Sequence, residues 1–474
     1  METLQRTANR GSVSTGLYEV ANSVKFDDGN NTTTVEFFER NVSSAGSRTT
    51  ATFSAWLKRT QLDANQYIFT FGNVDNDNGR TFARFQEDDT IRIGGGTTTW
   101  LNTNRVFRDT SAWYHIVVAI DTTSGTANNR VRLYVNGEEV TEFGTRNNPS
   151  QNDVMGINFG KQVIGYNSVD NGNGFNGYMC EVVIQDGVAS APTEFGEFDS
   201  ASGIWIPKDA SGATMGTNGS YLKFENASSM GAATAGNAFT VQNINQVDQA
   251  TDTCTNNFCT WLSDGSLFNS GTDNETFFQG GTKTVSRAGT GWTAVYPTQS
   301  FAGGKWYMEY KAYEQDATAM YGAMPVSRIN SRQYNDYYHG QDVDGSIGLY
   351  LNNGQIYYGT AGSGGAGSGI ASGAIIGVAI DMENYKAYFA VNNTYVESGN
   401  PAGNSNGRSI EQEPYVFSMA TYSPNVNIET NFGGYTTFSD THTNTDENGF
   451  GSFVYAPPSG FLACCSKNLA TTGG

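Results

Sequence analysis

The stretch Trp113–Asp121, "WYHIVVAID", followed by "RVRLYVNGEEV" at residues 130–140, decides how the rest of the sequence is read. In the first segment Tyr114, Ile116, Val118 and Ile120 recur at every second position, the spacing of a β-strand rather than a helix. The intervening positions are also largely apolar, as in a central strand covered on both faces. In the second segment Val131, Leu133 and Val135 point inward and Arg132 and Tyr134 outward, before Asn136-Gly137 supplies the positive φ angles of a tight hairpin.

The plan is then written a second time. "IIGVAIDMENYKAYFAVNNTYVESG" repeats it, with the tetrapeptide VAID of Val118–Asp121 recurring at Val378–Asp381. Here Ala387, Phe389 and Val391 share a face and Asn392-Asn393 makes the turn, because Asn tolerates left-handed backbone. A third hairpin, "IGLYLNNGQIYYG", turns at Asn353-Gly354. "ATFSAWLKR" alternates in the same way, with Phe53, Ala55 and Leu57 on one face and Ser54, Trp56 and Lys58 on the other.

Composition agrees with strands and turns. Of 474 residues, 57 are glycine, 13% are aromatic and only 15% are charged. No run of ten residues keeps helical periodicity, and there is no heptad or collagen repeat. The expectation is an all-β protein of two tandem antiparallel β-sandwiches of jelly-roll type. "SVKFDDG" and "YLKFENASS" resemble each other and would close one sheet, which sets the first domain at 17–227 behind an N-terminal arm, 1–16. Residues 228–257 lack alternation and read as a surface connector, 258–434 form the second sandwich, and 435–474 read as an irregular C-terminal tail.

The formal net charge of -19 and the lack of a basic cluster in the sequence speak against a nucleic-acid partner. Five cysteines are too few for a disulfide scaffold and leave one thiol over. With no secretory signal at the start, and "GAIIGVAI" too short to span a bilayer, a soluble product of the cytoplasm without membrane insertion is expected.

The first domain resembles the LamG-like, concanavalin A-like lectin and glucanase superfamily through "FSAWLKR", "WYHIVVAIDTT", "NRVRLYVNG" and "NGYMCEVVIQDGVAS". The second resembles SPRY domains through "GKWYMEYKA", "GSIGLYLNNGQIYYG", "IIGVAIDMENYKAYFAVNN" and "PYVFSMATYSPNVNIETNFGG". The pair, with the arm "TANRGSVSTG" and the passages "NRVFRDTSAWYHIVVAIDTT" and "FGEFDSASGIWIPK", is similar to virion proteins of marine tailed bacteriophages. That resemblance implies a tail fibre, appendage or surface protein located on the virion, a homo-oligomer in contact with other virion proteins. LamG-like and SPRY folds imply binding of glycans or proteins through rim loops, and the fold alone names no ligand.

Candidate chemistry is sparse. Glycoside cleavage needs two carboxylates flanking the bond, and Glu181 and Asp186 in "EVVIQD" fall on opposite strand faces, so an enzyme is not expected. His115, His339 and His442 are scattered, and the spacings of Cys254, Cys259, Cys464 and Cys465 match no common zinc pattern. Cys180, alternating with Tyr178, Val182 and Ile184, reads as a small core side chain. "VDNDNG" at 74–79 and "QEDD" at 86–89 offer oxygen ligands at the rim, but without the ordered spacing of a calcium loop they read as caps of polar turns. No metal or cofactor is expected.

The loop "SRQYNDYYHG" interleaves Tyr334, Tyr337, Tyr338 and His339 with Asn335 and Asp336. Flat aromatic faces beside amides and carboxylates suit the apolar C–H patches and hydroxyls of a host-surface glycan. The same tyrosines suit equally well packing on the adjacent sheet or on another subunit. Trp100 and Trp292, in Thr/Gly-rich surroundings, are further candidates of the same kind.

Overall fold

The computed structural model describes residues 18–28, 34–42, 44, 46–72, 79–167, 173–262, 276–278, 280–286, 292–312, 318–329, 338–340, 345–359, 361–422 and 428–472. The arm, 1–16, lies outside them. Regular structure among these residues is strand, apart from short 3-10 turns and one helix, Ser466–Thr472. That helix is neither long nor apolar enough to cross a membrane. The chain divides into two compact units, Met1–Asn257 and Phe258–Gly474.

In the first unit a nine-stranded sheet is centred on Trp113–Asp121, Thr50–Arg59 and Gly177–Asp186, all antiparallel. An eight-stranded sheet carries, as successive antiparallel neighbours, Thr98–Val106, Thr90–Gly95, Arg80–Phe85 and Gln66–Gly72. One core joins them: Phe53, Ala55, Leu57, Ile116, Val118, Leu133 and Val135 from the first sheet meet Phe69, Phe71, Ala83, Phe85, Ile91, Ile93 and Leu101 from the second. Each large apolar side chain buried there contributes about 1.5–3 kcal/mol. The face predicted from alternation is therefore the core face. The hairpin turn forms as expected, with φ 50° at Asn136 and 82° at Gly137.

The second unit repeats the arrangement. A nine-stranded sheet holds Lys305–Ala312, Ile375–Asp381 and Lys386–Val391, and a six-stranded sheet holds Thr293–Val295, Tyr415–Thr421, Ala319–Pro325, Ile347–Tyr350, Ile356–Tyr358 and Ala361–Ser363. The repeated tetrapeptide occupies equivalent places, Val118 opposite Leu133 and Val378 opposite Phe389. Its aspartate ends the strand in both copies, Asp121 accepting from Thr123 N at 3.0 Å and Asp381 from Glu383 N at 3.0 Å.

Two readings of the sequence, of residues 228–257 and of Cys180, are corrected. Residues 228–257 are not a surface connector: Ala235–Gly236, Thr240–Gln242 and Gln249–Ala250 each pair into a sheet of the first unit. Their acids are buried partners, Asp248 of Lys25 at 2.9 Å and Asp252 of Lys58 at 2.7 Å. The first unit thus extends beyond residue 227.

The tail 435–474 is largely irregular, yet it is structural. Leu462–Ala463 adds in parallel to Lys305–Ala312, and Phe453, Phe461 and Cys465 bury themselves on Tyr307, Ala379 and Tyr388, the outer side of the nine-stranded sheet. Glu309 holds the tail by accepting from Val454 N at 2.9 Å and Tyr455 N at 2.8 Å. Glu309→Ala is expected to speed proteolytic cleavage within 440–460, because two part-buried amides lose their acceptor; unchanged digestion by a nonspecific protease would count against this role.

Cys180 is buried, but not among Val182 and Ile184. The ladder with Thr50–Arg59 slips between Cys180 and Val183, and Glu181 takes φ 51°, a β-bulge that reverses the alternation. Met179, Val182 and Ile184 enter the core, whereas Cys180 pairs with Trp56 on the outer face. The bulge is held through the Glu181 carboxylate, which accepts from Tyr18 Oη at 3.1 Å and from Tyr221 Oη. Burial pushes the Glu181 carboxyl up to about 7.

Candidate functional site

A sandwich has two outer faces, and in the second unit the tail covers that of the nine-stranded sheet. The outer face of the six-stranded sheet is built differently. Along Ala319–Pro325, Tyr321 and Ala323 go to the core, which turns Met320 and Met324 outward. Phe417 and Met419 likewise leave Val416 and Ala420 outward, and Ile347, Leu349 and Ile356 leave Tyr350 and Tyr357 outward. Met320, Met324, Val416, Ala420 and Ala294 make an apolar floor.

On that floor lie half-buried aromatic rings. Trp292 is the hub, with its ring centroid 5.3 Å from Tyr338, 5.8 Å from Tyr350 and 5.7 Å from Tyr422. Tyr357 closes the group at 5.5 Å from Tyr350 and 6.4 Å from Tyr338. Tyr422 is 40% exposed, so the cluster opens to solvent. Asn353 Nδ2 donates to Tyr357 Oη at 3.2 Å and to Gln355 Oε1 at 3.0 Å, placing amides beside the phenol. Burial raises the Tyr350 hydroxyl, with Tyr357 adding to the effect, so it remains a neutral donor and acceptor.

Of the residues singled out from sequence, Trp292 and Tyr338 are brought together here. Tyr334, Asp336 and Tyr337 lie outside the described residues. His339 is corrected: it is fully buried, and Nε2 lies 2.6 Å from Ser418 Oγ. It fits because residue 348 is glycine: a Cβ on Gly348 would lie 2.8 Å from the His339 Cγ. His339 is thus a peg that positions Tyr338 and does not itself face a ligand. Gly348→Val is expected to displace the imidazole and free Tyr338, read as a collapse of the chemical-shift dispersion of the Tyr338 ring; a retained Tyr338 signal would contradict the peg.

Trp100 is also corrected. It is only 6% exposed, at a bulge where the register slips between Ile93 and Gly94, and a Cβ on Gly95 would meet its Cζ2 at 2.1 Å. It belongs to the first unit's core and shows an edge to a cleft of about 440 Å3 lined also by Arg80, Asn147, Ser150 and Asp153. The acids of "QEDD" serve their own turn: Asp89 pairs with Arg59 at 2.9 Å and Arg108 at 2.8 Å, and Asp88 accepts from Thr90 N at 3.0 Å. Of "VDNDNG", residues 74–78 lie outside the described residues. After the bulge, Glu181 faces Tyr221 while Asp186, on the other side, accepts from Ser47 N at 2.8 Å and Asn218 N at 3.0 Å.

The sequence reading missed Tyr350, Tyr357 and Tyr422. The signal existed for the first two, since both fall out of phase with Ile347, Leu349 and Ile356 in the third hairpin.

Residues 27–193 match the model of the Concanavalin A-like lectin/glucanases superfamily. This LamG-like match lies wholly within the first unit. No curated protein matches the sequence. Among solved structures, the SPRY domain of human HERC1 is similar at 12% identity over 31% of this chain and 87% of that one, with a TM-score of 0.25. The heptameric SAP-like pentraxin of Limulus polyphemus is similar at 15% identity over 36% of this chain and 80% of that one, TM-score 0.29. The TRIM65 PSpry domain is similar at 12% identity over 36% and 88%, TM-score 0.28.

Proposed function

We propose that this chain is a non-enzymatic, carbohydrate-binding virion protein of a tailed bacteriophage, and that the outward face of the six-stranded sheet holds the sugar. The observation that carries the reading is the Trp292-centred group of aromatic rings on a sheet face that the tail leaves uncovered. Pyranose rings present apolar C–H patches that lie against such rings, and Asn353, Gln355 and the phenol hydroxyls offer hydrogen bonds to the sugar hydroxyls. The lectin content of the superfamily matched by residues 27–193 supports sugar binding as the general theme.

The placement on a virion, as tail fibre, appendage or surface protein among other virion proteins, rests on the passages similar to marine phage proteins. Weak single-site binding becomes useful there, because a symmetric oligomer repeated on a particle multiplies it through effective concentration. The alternative reading is a purely structural role in capsid decoration or tail assembly, in which the aromatic face would be buried against a virion neighbour. A polysaccharide-degrading role is disfavoured by Glu181 and Asp186 facing apart, and a reducing-sugar assay on host polysaccharide is expected to stay at background.

Glycan-array binding by the whole chain tests the proposal. Trp292→Ala and Tyr338→Ala are each expected to weaken binding at least about tenfold while the unfolding midpoint holds. Undiminished binding by both variants would remove the aromatic face from the mechanism.

A further inference from the structure

Cys180 and Cys254 stand 74 positions apart in the sequence, yet the Cys180 thiol donates to the Cys254 sulfur at 3.7 Å inside the first unit. Both side chains are fully buried. The bulge at Glu181 makes the meeting possible, because it leaves Cys180 on the outer face of Gly177–Asp186 while Met179 and Val182 enter the core. Cys254 reaches the same place on a segment held at both ends. Before it, Ala250 pairs with Ser23 and Asp252 with Lys58. After it, Thr255 Oγ1 accepts from Val20 N at 3.1 Å and donates to Val20 O at 3.2 Å, and Asn257 Oδ1 accepts from Lys58 Nζ at 2.7 Å.

A disulfide is about 2.05 Å long, so the two sulfurs need to approach by about 1.7 Å, a distance within reach of side-chain rotation. Reaction is held back by the cover over the pair. Burial holds the Cys254 thiol well above its ordinary pKa, and the Cys180 thiol beside it adds to the effect. The thiolate is the attacking species and is scarce while segment 251–257 is closed. Opening of that segment admits an oxidant, and its return brings the sulfurs together.

We infer that Cys180 and Cys254 form a dithiol that closes into an intramolecular disulfide when the protein meets a low-molecular-weight disulfide such as oxidised glutathione. One protein thiolate attacks a sulfur of the oxidant and expels a glutathione thiolate, leaving a mixed disulfide. The second protein thiolate attacks the protein sulfur of that bond and expels the other glutathione. Two protein thiols thereby lose two electrons and two protons, which the oxidant takes up as two glutathione thiols. The new bond ties the end of the first unit to a central strand and closes a loop spanning 74 positions.

Partner choice separates this reaction from chance oxidation. In an unfolded chain loop closure favours short separations, so Cys254 would join Cys259 ahead of Cys180. A bond between Cys180 and Cys254 is therefore a mark of the folded geometry.

The inference is independent of the sugar reading. The whole chain, fully reduced, is held with excess oxidised glutathione in urea below its unfolding transition, quenched in acid, denatured, alkylated, digested and mapped by mass spectrometry. The expected product is a peptide pair joined through Cys180 and Cys254, lighter by two hydrogens than the separate peptides. The same reaction in fully denaturing urea is expected to favour Cys254 with Cys259. Urea unfolding of the joined form, followed by hydrogen exchange of Thr50–Arg59, is expected to show a midpoint raised by roughly 1 M over the reduced form. Cys254→Ser abolishes that difference, and dithiothreitol removes it from the parent protein, a control that holds even where the serine variant fails to fold. Two alkylated thiols after prolonged oxidation, a stable glutathione adduct on either one, Cys254 joined to Cys259 in the folded protein, or a joined form no harder to unfold than the reduced one would each overturn the inference.

Discussion

Asp252→Ala is expected to destabilise the first sandwich by about 3–5 kcal/mol, the cost of leaving one member of a buried ion pair without its partner. Lys58 Nζ, fully buried, donates to Asp252 Oδ2 at 2.7 Å and Asn257 Oδ1 at 2.7 Å. The other carboxylate oxygen accepts from Trp113 Nε1 at 3.1 Å, and the backbone carbonyl of Asp252 accepts from Ser23 Oγ at 2.5 Å. One residue from the segment that reads as connector thus ties together three strands of the nine-stranded sheet. Replacing the pair by Lys58→Met and Asp252→Leu together should recover much of the loss, since desolvation no longer has to be offset. Urea unfolding of the three proteins, followed by hydrogen exchange of Thr50–Arg59, measures both effects. A change below about 0.5 kcal/mol for Asp252→Ala, the size of an ordinary surface substitution, would contradict the role.

The second large effect is acid unfolding driven by His115. Trp205 Nε1 donates to His115 Nδ1 at 3.0 Å, which fixes the proton of the neutral ring on Nε2, and Nε2 donates to Ser54 Oγ at 2.8 Å. Trp56 stacks on the imidazole at 4.9 Å. A second proton would have to sit on Nδ1, facing an indole donor in a fully buried place, and burial lowers the His115 pKa to about 3. The unfolded chain takes its proton near pH 6.5. Above that value the contribution is fully present, and it is lost as the pH falls toward 3, at about 1.4 kcal/mol per pH unit. Glu181 works the other way: with its pKa raised to about 7 it favours the fold below the unfolded carboxyl range near 4.3 and loses that contribution as the pH rises through 7. The two oppose each other at intermediate pH, and below about 4.3 only the histidine of this pair continues to change its contribution. His115→Gln, which keeps a donor and an acceptor but does not titrate, should flatten the acid limb of the stability profile. Parallel limbs in variant and parent would show that His115 is not the titrating group.

Much of this architecture was legible in the sequence because it rests on a period of two. Phe53, Ala55 and Leu57, then Tyr114, Ile116 and Val118, entered the core as alternation required, and Asn136-Gly137 and Asn392-Asn393 turned with the positive φ that Asn and Gly accept. What escaped follows from physics that pattern does not carry. Asp248 and Asp252 look like solvent-facing acids until their lysine partners, more than 190 positions away for Lys58 and Asp252, are in place. The bulge at Glu181 is invisible because a residue at positive φ leaves no mark on hydrophobicity, and it alone moved Cys180 to the other face. His339 looked like a ligand donor because its loop is polar, while the glycine that makes room for it, Gly348, lies on another segment. The aromatic site was half legible, with Trp292 and Tyr338 found from composition and Tyr350 and Tyr357 available from the phase of their hairpin.

The central proposal is that a sugar docks on the aromatic face of the six-stranded sheet. Hydrogen–deuterium exchange of the whole chain, with and without a saturating oligosaccharide selected on the array, tests it most directly. Protection is predicted to concentrate in 292–295, 338–340, 347–358 and 415–422, with the nine-stranded sheets unchanged. Protection confined to the loops of the first unit, or none above Phe258, would contradict it.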